Sequence, residues 1–183
     1  MTDFETLMEP MLPSTMPPSL QDLCLELTEK GASLSSILHP TVQSSIGDLV
    51  RSMNCYYSNL IEGHNTHPRD IDRALRDDFS AEPEQRDLQL EAKAHIRVQN
   101  LVDQGVNSNS PTSLEYILWL HKEFCENLPE DLLWVENPDT GERIKNIPGE
   151  LRRGEVAVGR HIPPTFDTLE RFLRRFESAY KIE

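Results

Sequence analysis

Histidines are the residues of this chain with the widest chemical capacity. The six are His39, His64, His67, His95, His121 and His161. His64 and His67 could supply two ligands to a zinc ion, but two ligands without a third candidate nearby make a poor site. No serine–histidine–aspartate or cysteine–histidine grouping has a local signature, and there is no Gly-x-x-x-x-Gly-Lys phosphate loop. The pattern predicts no metal site, a hydrogen-bonded core role for His121 and a structural role for His161.

A serine and a glutamate four residues apart form a second candidate, because Ser58 and Glu62 precede Gly63. Residues i and i+4 are neighbours on one face of a helix. Glycine readily takes the left-handed conformation that ends a helix. In isolation, Glu62 reads as the last exposed acid of an amphipathic helix that Gly63 caps.

The surrounding residues predict helices that would position this segment. A first amphipathic stretch contains Leu20, Leu23, Leu27 and Leu34, and Gly31 interrupts it. A second has 3.6-residue periodicity through Val42, Ile46, Leu49, Val50, Met53 and Tyr57, and it continues to Glu62. Pro68 then stands at the first position of a short predicted helix that carries Ile71 and Leu75.

The later half of the chain predicts three more helices and one hairpin. Leu90, Ala94, Val98 and Leu101 indicate a helix that Gln104-Gly105 ends, and residues 110–115 offer two registers of a capping box for the next helix. Turn residues 137–141 and alternating runs, notably Glu155–Gly159, predict a β-hairpin between Leu132 and Pro164. The last helix, from Leu169 to Tyr180, has an apolar stripe that needs a surface, supplied either by earlier helices or by further chain.

Composition excludes several classes of function. The 183 residues carry 18 basic and 31 acidic side chains, a net charge of −13, which argues against broad binding to nucleic acids or anionic membranes. No apolar run approaches the ~20 residues that span a bilayer, and the acidic N-terminus is not a secretory signal. Three widely separated cysteines suggest no disulfide framework, so a reducing cytoplasm is expected.

Two segments together resemble the Fic family of protein adenylyltransferases. Residues 57–66, Tyr-Ser-Asn-Leu-Ile-Glu-Gly-His-Asn-Thr, are similar to the family's inhibitory helix, [Ser/Thr]-x-x-x-Glu-[Gly/Asn]. Residues 146–152 and 156–164 resemble its Gly-x-aromatic-Arg segment, its flap hairpin and the proline-rich turn after it. Leu151 replaces the usual aromatic residue. The resemblance covers residues 20–183, in the order of members whose inhibitory helix precedes the core.

The resemblance implies a fold and a division of the chain. The expected fold is mainly α, an incomplete Fic-type helical bundle with one small β-hairpin as the flap. Residues 1–18 would be a disordered arm, since they hold four prolines. Residues 19–80 would form an N-terminal helical region with the inhibitory helix, and residues 81–183 would form the front part of the Fic core.

The resemblance also implies site residues and ligands. Glu62 would be the inhibitory carboxylate, with Ser58 in a supporting role and Gly63 directly after it. The Glu62 carboxylate would pair with an arginine that otherwise holds the γ-phosphate of ATP. The flap residues Val156, Ala157, Val158 and Gly159 would dock a protein substrate by strand addition. ATP and Mg²⁺ are the cofactors that the family implies. A homodimer is one possible assembly.

The family's catalytic motif, His-Pro-Phe-x-x-Gly-Asn-Gly-Arg-x-x-Arg, does not occur in these residues. The chain as given therefore has no catalytic residue of that kind and is expected to be inactive in AMPylation. It would be the N-terminal, regulatory and target-docking part of such an enzyme. The alternative is a stand-alone helical protein that supplies Glu62 in trans to another Fic core. A third and less specific alternative is an acidic helical interaction domain whose matches to the family motifs are accidental.

Overall fold

The structure, a computed structural model, describes residues 14–136, 141–156 and 163–181. Its helices are α1 (Pro18–Ile37), α2 (Pro40–Ile61), α3 (Pro68–Leu75), α4 (Pro83–Asp103), α5 (Leu114–Cys125) and α6 (Leu169–Ala179). A 3-10 turn at Glu130–Leu133 leads into strand β1 (Trp134–Glu136), which pairs antiparallel with β2 (Arg143–Lys145). A mainly α fold with one small hairpin is thus confirmed.

Proline marks the start of the first four helices, at Pro18, Pro40, Pro68 and Pro83. A proline at the first helical position costs no backbone hydrogen bond, because the N–H that proline lacks would have no partner within the helix there. Helix α5 starts differently, since the Ser113 hydroxyl accepts from the backbone N–H of Tyr116 at 3.2 Å. The N-cap is therefore Ser113, so neither the proline entry at Pro111 nor the capping box of Thr112 with Glu115 starts this helix.

Helix α4 is the central element, in contact with α2, α3 and α5, while α6 packs on α5. The core cluster joins Cys55 of α2, Ile71 of α3, and Ala92 and Ile96 of α4. Small residues on α4 let the neighbouring helices approach it closely. Because partners surround α4, its buried residues do not follow the single predicted stripe: Gln89, Ala92, Ala94 and Ile96 are buried, whereas Leu90, Val98 and Leu101 are half-buried.

Helix α1 and the first half of α2 lie outside this core. No side chain of α1 is buried, and the buried residues of α2, Cys55 and Asn59, belong to its last two turns. The predicted interruption at Gly31 is wrong, since α1 runs through it without a break. One glycine inside a helix costs only about 1 kcal/mol relative to alanine, which is not enough to end it. Among the described residues no helix is both long and apolar enough to cross a membrane.

The hairpin lies around the predicted turn, with Trp134 paired to Lys145, Val135 to Ile144 and Glu136 to Arg143. The cations of Arg143 and Lys145 lie 5.3 and 5.7 Å from the ring centre of Trp134, a stabilising cation–π arrangement. This hairpin is not the expected flap. Val156 lies outside both strands, and Ala157, Val158 and Gly159 fall outside the described residues.

Candidate regulatory site at the end of helix α2

The end of α2 is a fully formed helix-termination motif. The N–H of His64 donates to the carbonyl of Asn59 at 2.8 Å, and the N–H of Gly63 donates to that of Leu60 at 3.2 Å. Gly63 has φ +83°, as predicted for a glycine that ends a helix. These two bonds define a Schellman motif, which satisfies carbonyls that a bare helix end leaves unpaired. The backbone around Glu62, the residue just after α2, is therefore fixed.

A buried polar contact holds the turn after the motif. The side-chain amide of Asn59 donates to the hydroxyl of Thr66 at 3.3 Å, and both side chains are almost fully buried. One turn earlier, Cys55 anchors α2 to α4, with its thiol 3.7 Å from the carbonyl of Ala92. Burial raises the pKa of the Cys55 thiol to about 11, and the charge of Glu91 adds to the shift. The thiol is protonated at neutral pH and serves packing rather than reactivity.

Ser58 and Glu62 stand together on the exposed surface of this end. The N–H of Glu62 donates to the carbonyl of Ser58 at 3.2 Å, the i→i−4 bond that stacks the two residues on one side of α2. Both side chains are exposed, and neither makes a hydrogen bond or an ion pair with another described residue. Ile61, which directly precedes Glu62, is 83% exposed, and Tyr57 is also exposed. The arrangement offers a free carboxylate beside apolar side chains.

The two histidines of this segment have structural positions. The Nδ1 atom of His64 lies 3.5 Å from a carboxylate oxygen of Glu91, which links the turn to α4. His67 is the residue before α3 and occupies its N-cap position. Within the ranges that the structure describes, no three histidine, cysteine, aspartate or glutamate side chains are placed to hold a metal ion.

Replacement of Asn59 by alanine is expected to loosen the support of Glu62. The variant leaves the buried hydroxyl of Thr66 without its partner, and such a loss costs about 1–3 kcal/mol in the free energy of unfolding. Asn54→Ala is the matched control, because Asn54 is exposed on the same helix and alanine favours helix. Urea unfolding followed by circular dichroism measures both. Equal stability of the two variants would show that the Asn59–Thr66 contact does not hold the turn.

A second sequence-predicted region, the base of the flap, is closed by Arg152. Its guanidinium donates to the carbonyl of Gly154 at 2.6 Å and also to the carbonyl of Pro164. These two carbonyls flank the segment that contains Val156–Gly159, so one side chain joins its two ends. Val156 is exposed at the start of that segment. Val156 makes no hydrogen bond with Ser58 or Glu62 in the part of the chain that the structure describes.

Gly149 fixes the approach to this base. Its φ is +77°, and an added Cβ would lie 3.1 Å from the Cβ of Lys122 on α5, so both conformation and space require glycine. The N–H of Gly149 donates to Nδ1 of His121 at 3.1 Å. The predicted hydrogen bond of His121 is thus confirmed, but the residue is half-buried and does not belong to the core as predicted.

Arg152→Met is expected to open the base of this segment. The variant keeps most of the side-chain length but removes both donations, so amides between residues 154 and 164 should exchange hydrogen roughly tenfold faster. Arg153→Met is the control, since Arg153 is exposed and, among the described residues, pairs with Glu150 at 2.5 Å. Hydrogen exchange with mass spectrometry resolves the peptide. If both variants exchange at the wild-type rate, Arg152 does not close the base.

Sequence patterns could not reveal several of these supporting contacts. Gln89 is completely buried, and Arg51 bridges Asp48 and Asp103 at 2.6 and 2.5 Å. The partners of Arg51 and Gln89 include residues far away in the chain, so local periodicity carries no sign of them. The hydrogen bond between Asn59 and Thr66 likewise has no local signature, because an asparagine seven residues before a threonine does not by itself indicate such a bond.

The chemistry available to Glu62 is recognition rather than catalysis. Two clefts, of about 700 and 380 Å³, flank α4, and neither is lined by Ser58 or Glu62. A carboxylate on a fixed helix end suits a planar guanidinium, which it can bind through two parallel hydrogen bonds. In comparisons with known proteins, no family model, no curated protein and no solved structure matched the chain.

Proposed function

We propose that this chain is the regulatory and target-docking part of a Fic-type protein adenylyltransferase, with Glu62 as its inhibitory carboxylate. The observation that carries the proposal is the exposed Glu62 at a rigid helix end, stacked on Ser58 and unpaired with any other residue that the structure describes. An inhibitory carboxylate has to reach an arginine on another surface, and it has to keep its position while it does so. The Schellman motif and the Asn59–Thr66 contact supply that fixed position.

The proposal assigns residues 156–159 to substrate docking. An extended target segment would add a strand there, with backbone hydrogen bonds that demand little of the target sequence. Arg152 supports this role, because it joins the carbonyls of Gly154 and Pro164 and so holds both ends of the segment. A clamped base lets the segment between them serve as a defined edge for a protein substrate.

The proposed cofactors, ATP and Mg²⁺, are not assigned to residues of this chain. The sequence has no glycine-rich phosphate loop, and the described residues hold no cluster suited to a metal ion. Both ligands would belong to a catalytic core that bears the histidine motif. The proposed location is the cytoplasm, which agrees with Cys24, Cys55 and Cys125 being free thiols.

The proposal is tested first by the nucleotide sequence that follows the codon for Glu183. We expect an open reading frame that soon encodes His-Pro-Phe-x-x-Gly-Asn-Gly-Arg-x-x-Arg. A frame that continues at length without this motif would contradict the assignment. A frame that stops directly would leave only the second candidate.

The second candidate is a separate protein that offers Glu62 in trans to another Fic core. It is favoured by the absence of any arginine partner for Glu62 among the described residues, together with the 83% exposure of Ile61 beside it. Addition of the chain to an active Fic core should then lower AMP transfer, and the Glu62→Gly chain should not. Equal effects of both chains would exclude inhibition in trans by this carboxylate.

A further inference from the structure

Among the described residues, helix α1 has no tertiary partner that explains its stability. It is 20 residues long and exposes every side chain, and Gln43 of α2 donates to the carbonyls of Ser35 and Leu38 at its end. Most helical stability in proteins comes from packing of an apolar face rather than from intrinsic propensity. The helix therefore calls for a surface to pack against.

The apolar residues of α1 have the spacing of a coiled coil. Steps of three and four residues alternate through Leu20, Leu23, Leu27, Lys30, Leu34 and Ile37. These are successive a and d positions of a heptad, the pattern by which two helices interlock. Leu27 and Ile37 are 73% and 76% exposed, so the stripe is uncovered along the helix. The required partner is thus a second helix with a matching stripe.

Charge favours a second copy of this chain as that partner. The chain has a net charge of −13, so two copies can associate only where acidic side chains are sparse. Lys30 is the only charged residue in the stripe, and it pairs with Glu26 at 2.6 Å. From Gly31 to Gly47 the sequence contains no aspartate, glutamate, lysine or arginine. The stripe and this segment together therefore bring a single charged side chain, that of Lys30, to such a contact.

We propose that α1 forms an antiparallel two-stranded coiled coil with α1 of a second copy. In an antiparallel pair, a positions face d positions, and one register matches the whole stripe to itself. Leu20 then faces Ile37, Leu23 faces Leu34, and Leu27 faces Lys30, with the two-fold axis between the last two. A parallel pair would set Lys30 against Lys30, which like-charge repulsion opposes. In the antiparallel pair the Lys30 stem covers Leu27 of the other copy, and its ammonium stays near Glu26.

The first test compares two leucines of α1 by sedimentation equilibrium of the full chain. Wild type should reach twice the 21.0 kDa of the monomer. Leu27→Asp should raise the dimer dissociation constant roughly 100-fold or more, because both copies lose a buried leucine. Leu25→Asp is the matched control: Leu25 is 69% exposed but off the stripe, and its variant should dimerise like wild type. Neither residue is buried, so near-ultraviolet circular dichroism should confirm an unchanged core in both variants.

The second test reads the orientation of the helices through engineered disulfides in a Cys24→Ser background. A mixture of Leu20→Cys and Ile37→Cys chains should cross-link to each other, and each variant alone should not. Cross-linking of each variant alone would indicate a parallel pair and overturn the register. A wild type that is monomeric at ~100 µM overturns the proposal, since so weak an association would not cover the stripe. Equal dissociation constants for the Leu25→Asp and Leu27→Asp variants would overturn it as well.

Discussion

Glu62→Gly is expected to raise AMP transfer roughly 10- to 100-fold when the chain is followed by a Fic catalytic core. A hydrogen bond to a charged group contributes about 1.5–3 kcal/mol, and each 1.4 kcal/mol is a factor of ten in rate or equilibrium. Removal of the carboxylate frees the arginine that it is proposed to occupy. Since Glu62 is exposed and follows the helix, the substitution should not disturb the packing of α2. Self-modification with labelled ATP measures the effect.

The chain offers a closely matched control for this variant. Glu126 is also an exposed glutamate directly after a helix, in this case α5. Glu126→Gly makes the same chemical change in a similar place, and AMP transfer should stay at the wild-type rate. Glu62→Gln should activate nearly as well as Glu62→Gly, because it removes the charge and keeps the shape. Activation by Glu126→Gly to the same degree would point to a general effect of charge.

Gln89→Leu is expected to lower the free energy of unfolding by about 3 kcal/mol, since it leaves the partly buried backbone groups of Ser80 and Asp70 unpaired. The Gln89 side chain is 0% exposed and accepts from the N–H of Ser80 at 2.7 Å. Its amide donates to the carbonyl of Asp70 at 3.1 Å and to that of Asp78 at 3.5 Å. One side chain of α4 therefore ties down α3 and the loop after it. Leucine has nearly the same volume, so the loss arises from hydrogen bonds rather than from a cavity.

Gln85 provides the matched control for Gln89. Its replacement tests whether any glutamine on α4 stabilises the fold, or only the one with buried hydrogen bonds. Gln85 lies one turn earlier, is exposed, and bonds to the side chains of Asp70 and Ser80 at 3.1 Å each. Gln85→Leu should change stability by about 0.5 kcal/mol or less, since water replaces an exposed partner. Urea unfolding gives both values. If the two variants unfold at the same urea concentration, the buried bonds of Gln89 do not stabilise the fold as described.

Helix ends could be predicted from sequence because their causes are local. Pro68 sits at the first position of α3, and Gly63 has the positive φ that ends α2, both as predicted. The start of α4 at Pro83 was not predicted, because its apolar pattern begins only at Leu90. The residues before that point have a proline at the first helical position and the polar contacts of Gln85 and Gln89, which a hydrophobic period does not detect.

The contacts that hold the candidate site could not be predicted in the same way. Ser58 and Glu62 were identified from residue type and spacing, and the structure places them on one exposed side of a helix end. The support from Asn59 and Thr66 depends on the burial of both side chains, which no local pattern shows. The surface that covers an apolar helix face could not be predicted either. The period in α1 predicts a helix, but it does not say whether the same chain covers the apolar face of that helix.

The location of the hairpin shows a further limit of pattern analysis. Turn residues and alternation predict a hairpin between Leu132 and Pro164, and one forms there. Two segments of that region have strand-like sequence, and the structure pairs Trp134–Glu136 with Arg143–Lys145. The cation–π contacts of Trp134 join residues across the turn, and neither strand alone reveals them. The assignment of residues 156–159 as a flap stays a prediction.

The most direct test of the central claim is a comparison of ATP and ADP affinities in the wild-type and Glu62→Gly forms of the protein that includes a Fic core. If the Glu62 carboxylate competes with the γ-phosphate for one guanidinium, only a ligand that has this phosphate is affected. The account predicts that Glu62→Gly tightens productive ATP binding and leaves ADP affinity unchanged. Equal changes for both nucleotides, or none for either, would contradict it.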